Sequence, residues 1–270
     1  MTKIITVPIA LRLLIAFTAN AQRLPDIQKE SLRAPANIKV DGKITEWDNK
    51  LHAFNKSTEI FYTISNDDNR LYLTVQANRR NIIDKIINGG IAFTVKKGRK
   101  NDPAGATVSY PVFKGNDRPN IDFKTFDDIS PRAADAQQQA NDVMDLSNRG
   151  INEFSKFIKV EGIKDVDTLI SVYNTDGINA RSAVDNKLAY TVELAIDLKL
   201  LELSVSEQPK FNYNISLTAV GQADIPEIKV EYLTEGLTKG NPLERRKKAD
   251  QYSSSRFSTD FWGEYTLAKR

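Results

Sequence analysis

The residues from Thr58 to Ala77 alternate so regularly that a β-hairpin is the only short-range structure that suits them. Ile60, Tyr62 and Ile64 take one side of the first run, and Phe61 and Thr63 take the other. Asn66-Asp67-Asp68-Asn69 is a polar turn, after which Leu71, Leu73 and Val75 alternate with Tyr72 and Thr74. A period of two places one set on a core face, and a slip of one residue would expose all of it. Isoleucine, valine, tyrosine and threonine suit a pleated, half-buried surface. Just upstream, Ile38 to Trp47 reads I-K-V-D-G-K-I-T-E-W. A first strand is expected at Ile38 and Val40, a turn at Asp41-Gly42, and a return of Ile44 and Trp47 toward the core.

The same logic extends along the chain. Ile82, Ile83, Ile86 and Ile87 mark one face of a short helix over Arg79 to Ile87, closed by Asn88-Gly89-Gly90. Ile91, Phe93 and Val95 form the next strand, Lys96 to Gly105 a basic, glycine-containing turn, and Thr107 to Val112 the returning strand. Gly115 to Pro131 is irregular and polar. Ala133 to Leu146 is rich in helix formers with a thin apolar stripe and reads as an inserted surface helix. Phe154 to Val160 suits a second short helix or a strand. Strands resume at Leu169 to Tyr173, with a hairpin turn at Asn174 to Gly177 and a run back from Ile178 to Val184. Leu188, Tyr190, Val192, Leu194 and Ile196 share one face of a further strand, which leaves Glu193 facing solvent. Asp197 is placed to cap a helical turn through Leu201. Phe211 to Val220 alternates again, Gly236 to Arg256 is a long basic loop, and Trp262 to Leu267 closes the chain. Many antiparallel strands with one helical insertion predict an all-β, two-sheet sandwich of jelly-roll or immunoglobulin-like type. It occupies 36–268 as a single domain after a leader at 22–35, with the insertion near 115–165.

The chain has 270 residues, of which 40% are hydrophobic and 27% charged, enough for a sizeable core. It has no cysteine, so disulfides, thiolate metal sites, a cysteine nucleophile and a cysteine-borne lipid are all excluded. The formal charge of +3 is too small to mark a nucleic-acid footprint. Met1 to Ala21 combines a basic start at Lys3, an apolar stretch interrupted by Arg12, and Ala19-Asn20-Ala21 in a small-x-small pattern. It reads as a secretory signal cleaved at Ala21-Gln22, which implies a secreted, periplasmic or cell-envelope protein. The other reading is an amphipathic helix packed on the domain. The run is too short and broken to span a bilayer, and no other segment approaches membrane length. Cleavage would remove Lys3 and Arg12 and no acid, leaving a formal charge of +1 and weak long-range steering.

Three stretches in this order, I-K-V-D-G-K-I-T-E-W with the hairpin ending L-Y-L-T-V, L-A-Y-T-V-E-L-A-I-D-L at Leu188 to Leu198, and F-W-G-E-Y-T-L at Phe261 to Leu267, carry a resemblance. Together they resemble the carbohydrate-binding module family 9-like domain, a relative of the DOMON β-sandwiches, over most of 36–268. The resemblance implies a secreted, non-catalytic sandwich that clamps a sugar ring between two aromatic side chains, with polar neighbours and structural calcium. An aromatic face suits a pyranose because the sugar's C–H edge is apolar while its hydroxyls reach polar groups. One clamp position would fall within Asp84 to Val95, which holds isoleucines and Asn88-Gly89-Gly90 but no tryptophan. The other falls near Tyr252 and Phe257. With Arg256 between them, these are the ligand-binding candidates, since a loop aromatic is better placed for a ligand than one in a strand.

Other constellations have plainer explanations. Trp47 and Trp262 read as core or half-buried residues. Asp67-Asp68, Asp142 with Asp145, and Asp165 with Asp167 are short acidic pairs without a full calcium ligand set. Glu46, Glu193 and Glu231 are the carboxylates a glycoside hydrolase would draw on, but spacing alone brings no two together. His52 is the only histidine and no G-x-S-x-G elbow accompanies it, so nucleophilic triads and histidine metal sites find no support. Neither phosphate-binding nor dinucleotide glycine patterns occur, and no cofactor is implied. Arg245-Arg246-Lys247-Lys248 reads as a solvated loop run. The expected partners are a glycan or a cell-envelope protein. Non-catalytic glycan binding is the first reading, a scaffold protein that lost the sugar site the second, and a hydrolase the third.

Overall fold

The computed structural model describes residues 23–98, 100–101, 105–113, 117–207, 210–218 and 257–270. In chain order the elements are β1 (Ala53–Asn55), β2 (Ile60–Asn66), β3 (Arg70–Ala77), α1 (Arg80–Gly89), β4 (Ile91–Lys96), β5 (Ala106–Val112), α2 (Phe123–Asp128) and α3 (Ala136–Phe154). There follow β6 (Phe157–Glu161), β7 (Leu169–Ser171), β8 (Ile178–Val184), β9 (Tyr190–Asp197), β10 (Lys210–Leu217) and β11 (Thr259–Thr266). Two antiparallel sheets result, one of five strands in the order β1-β2-β3-β9-β8 and one of six in the order β11-β10-β4-β5-β6-β7. The protein is an all-β sandwich with a helical insertion.

Alternation explains both inner faces. Tyr62 and Ile64 of β2, Leu71, Leu73 and Val75 of β3 and Tyr190, Val192, Leu194 and Ile196 of β9 meet Phe93, Phe211, Tyr213 and Ile215 of the other sheet in one core. The Tyr62 and Tyr213 hydroxyls share a hydrogen bond at 3.1 Å across the sheets, and the Tyr62 oxygen also accepts the Gln28 N–H at 2.8 Å, so neither buried phenol is left without a partner. Gly263 of β11 gives Tyr213 its room, since a Cβ there would lie 2.3 Å from the Tyr213 hydroxyl.

Several expectations change. Ile38 and Val40 form no strand; the segment from Asn37 to Lys50 is irregular except for a 3-10 turn at Thr45–Trp47. The segment predicted as a leader is anchored. The Gln28 side chain donates to the Ile64 carbonyl and accepts the Ile64 N–H, both at 2.8 Å. It thus pairs the part of β2 that short β1 leaves open. Asn174 to Gly177 is not a hairpin turn, because β7 and β8 lie in different sheets and the turn carries the chain across. Asp197 does not cap the 3-10 turn at Leu198–Leu201; its carboxylate accepts from Arg70 Nε at 3.1 Å instead. The insertion holds an unexpected helix, α2, started by Asp122 accepting the Thr125 N–H at 2.9 Å. The expected helix is longer than its apolar stripe suggests. On α3 the Asn148 amide donates to the Val184 carbonyl and accepts the Val184 N–H, at 2.9 and 2.8 Å, which clamps the helix to the edge strand β8. Phe154 to Val160 resolves into the end of α3 and strand β6.

Candidate functional site

The rim at the α1 end of the six-stranded sheet is where the sequence-derived ligand candidates fall. β10 ends there at Leu217, β11 begins at Thr259, and both lie in register with Ile91 at the start of β4. Of the three candidates, Phe257 lies in the described structure; Tyr252 and Arg256 lie outside the described residues, as do Glu231, the run Arg245 to Lys248 and the signal-like segment Met1 to Ala21. The Phe257 ring is 70% exposed.

Its backbone, by contrast, is held. Lys85 sits on the isoleucine face of α1 and is only 1% exposed. Its Nζ donates to the Phe257 carbonyl at 2.6 Å and to Thr259 Oγ1 at 2.9 Å. Burial pushes the Lys85 ammonium below its usual range. The lysine therefore links helix α1 to the point where the chain enters β11. Arg80, one turn earlier, pairs with Asp127 and stacks its guanidinium 4.9 Å from the centre of the Phe123 ring, so α2 of the insertion docks on the same helix. Arg79 pairs with Glu59 on the other flank. The result is an exposed aromatic residue whose backbone carbonyl is held by a buried lysine.

The most perturbed carboxyl lies elsewhere, on the outer face of the five-stranded sheet. Glu193 does not face solvent, although its parity in β9 predicts that it does. It does point away from the sandwich core, but Asn37 to Lys50 folds over it and leaves it 2% exposed. Glu193 Oε2 accepts the N–H groups of Asp41 and Gly42, each at 2.9 Å, and Thr74 Oγ1 donates to Oε1 at 3.3 Å. Gly42 adopts φ +82° against β8, where a Cβ would meet Ala183 N at 2.6 Å. Desolvation pushes the Glu193 carboxyl up to about 7, with Asp41 and Glu46 adding to the rise and the two turn N–H groups opposing it. Its oxygens are occupied by the turn, so it acts as a latch for the covering segment.

Several of the other sequence candidates are engaged within the fold. Trp47 is the buried residue of that segment, with its ring edge-on to His52 at 5.8 Å between centroids. Trp262 is half-buried on the outer face of β11, beneath the ammonium groups of Lys96 and Lys100, each 5.3 Å from the ring centre. Asp67 accepts the Asn69 and Arg70 N–H groups and the Tyr72 hydroxyl, all at 2.7 Å, and so caps the hairpin turn. Asp68 pairs with Arg33 at 2.9 Å and Arg270 at 2.7 Å. Both carboxylates face or flank a cleft of about 610 Å3 that Arg70, Tyr72, Asp197 and Lys199 also line. Among the described residues no group of three or more histidine, cysteine, aspartate or glutamate side chains is placed to hold a metal ion. No helix among them is long and apolar enough to cross a membrane.

Compared with known proteins, the chain matches no family model and no curated protein significantly.

Proposed function

We propose that the protein is a secreted, non-catalytic glycan-binding sandwich of the kind that carbohydrate-binding module family 9 resembles, holding sugar at the rim beside α1. The observation that carries this reading is Phe257: a large ring 70% exposed on a backbone pinned by the buried Lys85. A rigid aromatic presented to solvent is the element that stacks on the apolar face of a pyranose, and it gives up little conformational entropy on binding. The signal-like Met1 to Ala21 supports export. A non-catalytic role agrees with the state of Glu193, whose oxygens are taken by Asp41, Gly42 and Thr74 and are thus withheld from acid–base work.

The second reading is an envelope scaffold that kept the sandwich without a sugar site. Leu169, exposed in the edge strand β7, and Tyr173, 68% exposed just after it, favour a protein partner there. Retention on a panel of polysaccharides, with Phe257→Ala as the comparison, separates the two.

A further inference from the structure

The basic turn between β4 and β5 finds no use in the glycan rim, which lies at the opposite end of the same strands. Val95 pairs with Ala106 at this far end, whereas Ile91 and Leu217 lie at the Phe257 end. Here the structure opens a cleft of about 420 Å3. Its size falls within the range of small-ligand sites.

Three chain segments build it. The β4–β5 turn contributes Lys97 and Gly98, the β6–β7 connection Gly162 and Lys164, and the 3-10 turn after β9 Lys199 and Glu202. Val95 and Leu201 supply apolar surface. Gly105 and Gly162 make one wall of bare backbone. Gly162 has φ +73°, and a Cβ on it would meet the Gly105 carbonyl at 2.1 Å, so packing demands glycine and leaves the wall without side chains.

Among the described residues the lining includes three lysines, Lys97, Lys164 and Lys199, and one acidic residue, Glu202. Glu202 pairs with Lys97, while Lys199 reaches Asp197 at 3.4 Å and Lys164 reaches only its neighbour Asp165 at 4.0 Å. The lysine side chains of these pairs are themselves solvent-exposed, so the pairs are of small worth and an incoming anion can compete for the ammonium groups. Lys96 and Lys100, poised over the Trp262 ring, add positive charge on the neighbouring outer face.

We infer that this cleft is a second binding site, for a short sugar carrying carboxylate or sulfate groups. Cations carried on three separate segments around an apolar surface suit an extended ligand with an apolar face and negative substituents. A compact phosphate would instead call for N–H groups converging on one point. The site stands apart from the Phe257 rim, and neither depends on the other.

The test is an amide-resolved NMR titration of the purified protein with four probes: trigalacturonate, a sulfated disaccharide, neutral galactotriose and inorganic sulfate. An anionic sugar is expected to shift the Gly98, Gly105 and Gly162 amide resonances, and whichever of the two does so identifies the preferred group. The shifts should weaken with added salt. The double variant Lys164→Ala, Lys199→Ala removes two exposed side chains and keeps the fold; it should weaken binding about tenfold, the sum of two partly exposed charge contacts. The inference is overturned if neither anionic sugar moves those glycines, if galactotriose moves them equally, if inorganic sulfate binds as tightly as the sugars, or if the double variant binds unchanged. Because the glycine amides report this cleft alone, its failure is distinct from a failure of polysaccharide retention at Phe257.

Discussion

Glu193 in the middle of β9 accepts the N–H of Gly42, 151 residues earlier, at 2.9 Å. That bond, with its twin from Asp41, fastens an irregular segment across the outer face of the five-stranded sheet. It makes the covering segment sensitive to the protonation state of one buried carboxyl.

Stability should accordingly fall as pH rises from 4.5 to 7. The Glu193 carboxyl is raised from its ordinary 4.5 to about 7, so its contribution is fully present below 4.5 and is lost as pH passes through 7. Across that window the change is about 3 kcal/mol. Urea denaturation at pH 4.5 and pH 8 measures it. Glu193→Gln keeps an acceptor for the turn and should flatten the slope; an unchanged slope in that variant would assign the titration to another group.

Gly42→Ala should destabilise the fold by about 1–3 kcal/mol, because the residue sits at φ +82° and its new Cβ would lie 2.6 Å from Ala183 N. Thermal or urea unfolding of the variant checks this. Wild-type stability would show that the segment shifts freely over β8.

Gly263→Ala tests the core from the other sheet. The added methyl would meet the buried Tyr213 ring and hydroxyl at 2.3 Å and displace them from Tyr62. A loss of about 1–3 kcal/mol is expected, as for other overpacked cores. A crystal structure of the variant with the Tyr62–Tyr213 contact intact would contradict the account.

Lys85 should make stability rise as pH climbs toward 10.5. Burial lowers its folded-state value below the ordinary one, so the folded form sheds its proton before the unfolded chain does. Lys85→Met removes the titration and should abolish this alkaline rise. The variant should also speed hydrogen exchange at the Thr259 amide, since Phe257 and Thr259 lose their anchor.

Much of the fold was legible because alternation reports burial directly. Ile60 to Ala77 reads as a hairpin and Tyr190 to Ile196 as a strand, and the structure has both. What escaped was decided by contacts distant in sequence. Glu193 reads as solvent-facing by its parity in β9, and nothing periodic in Asn37 to Lys50 announces that this segment covers it. The six residues of α2 are too few to show a helical period, and Asp122 three positions before Thr125 was the available signal. Phe257 was legible as a loop aromatic. The role of Lys85 was not legible, although its spacing from Ile82 and its neighbour Ile86 place it beside the buried face of α1. Its partners arrive from 172 and 174 residues away.

The central claim is tested most directly by retention of the purified protein on a panel of soluble and insoluble polysaccharides, with and without calcium, for wild type and Phe257→Ala. The ring is exposed, so the substitution should alter stability by less than about 0.5 kcal/mol. Retention of the wild type by at least one glycan, with affinity falling about tenfold or more in the variant, is the predicted result, since a stacked aromatic is worth about 1–3 kcal/mol when truncated. A folded wild type that no glycan retains, or a variant retained as well as wild type, would contradict it.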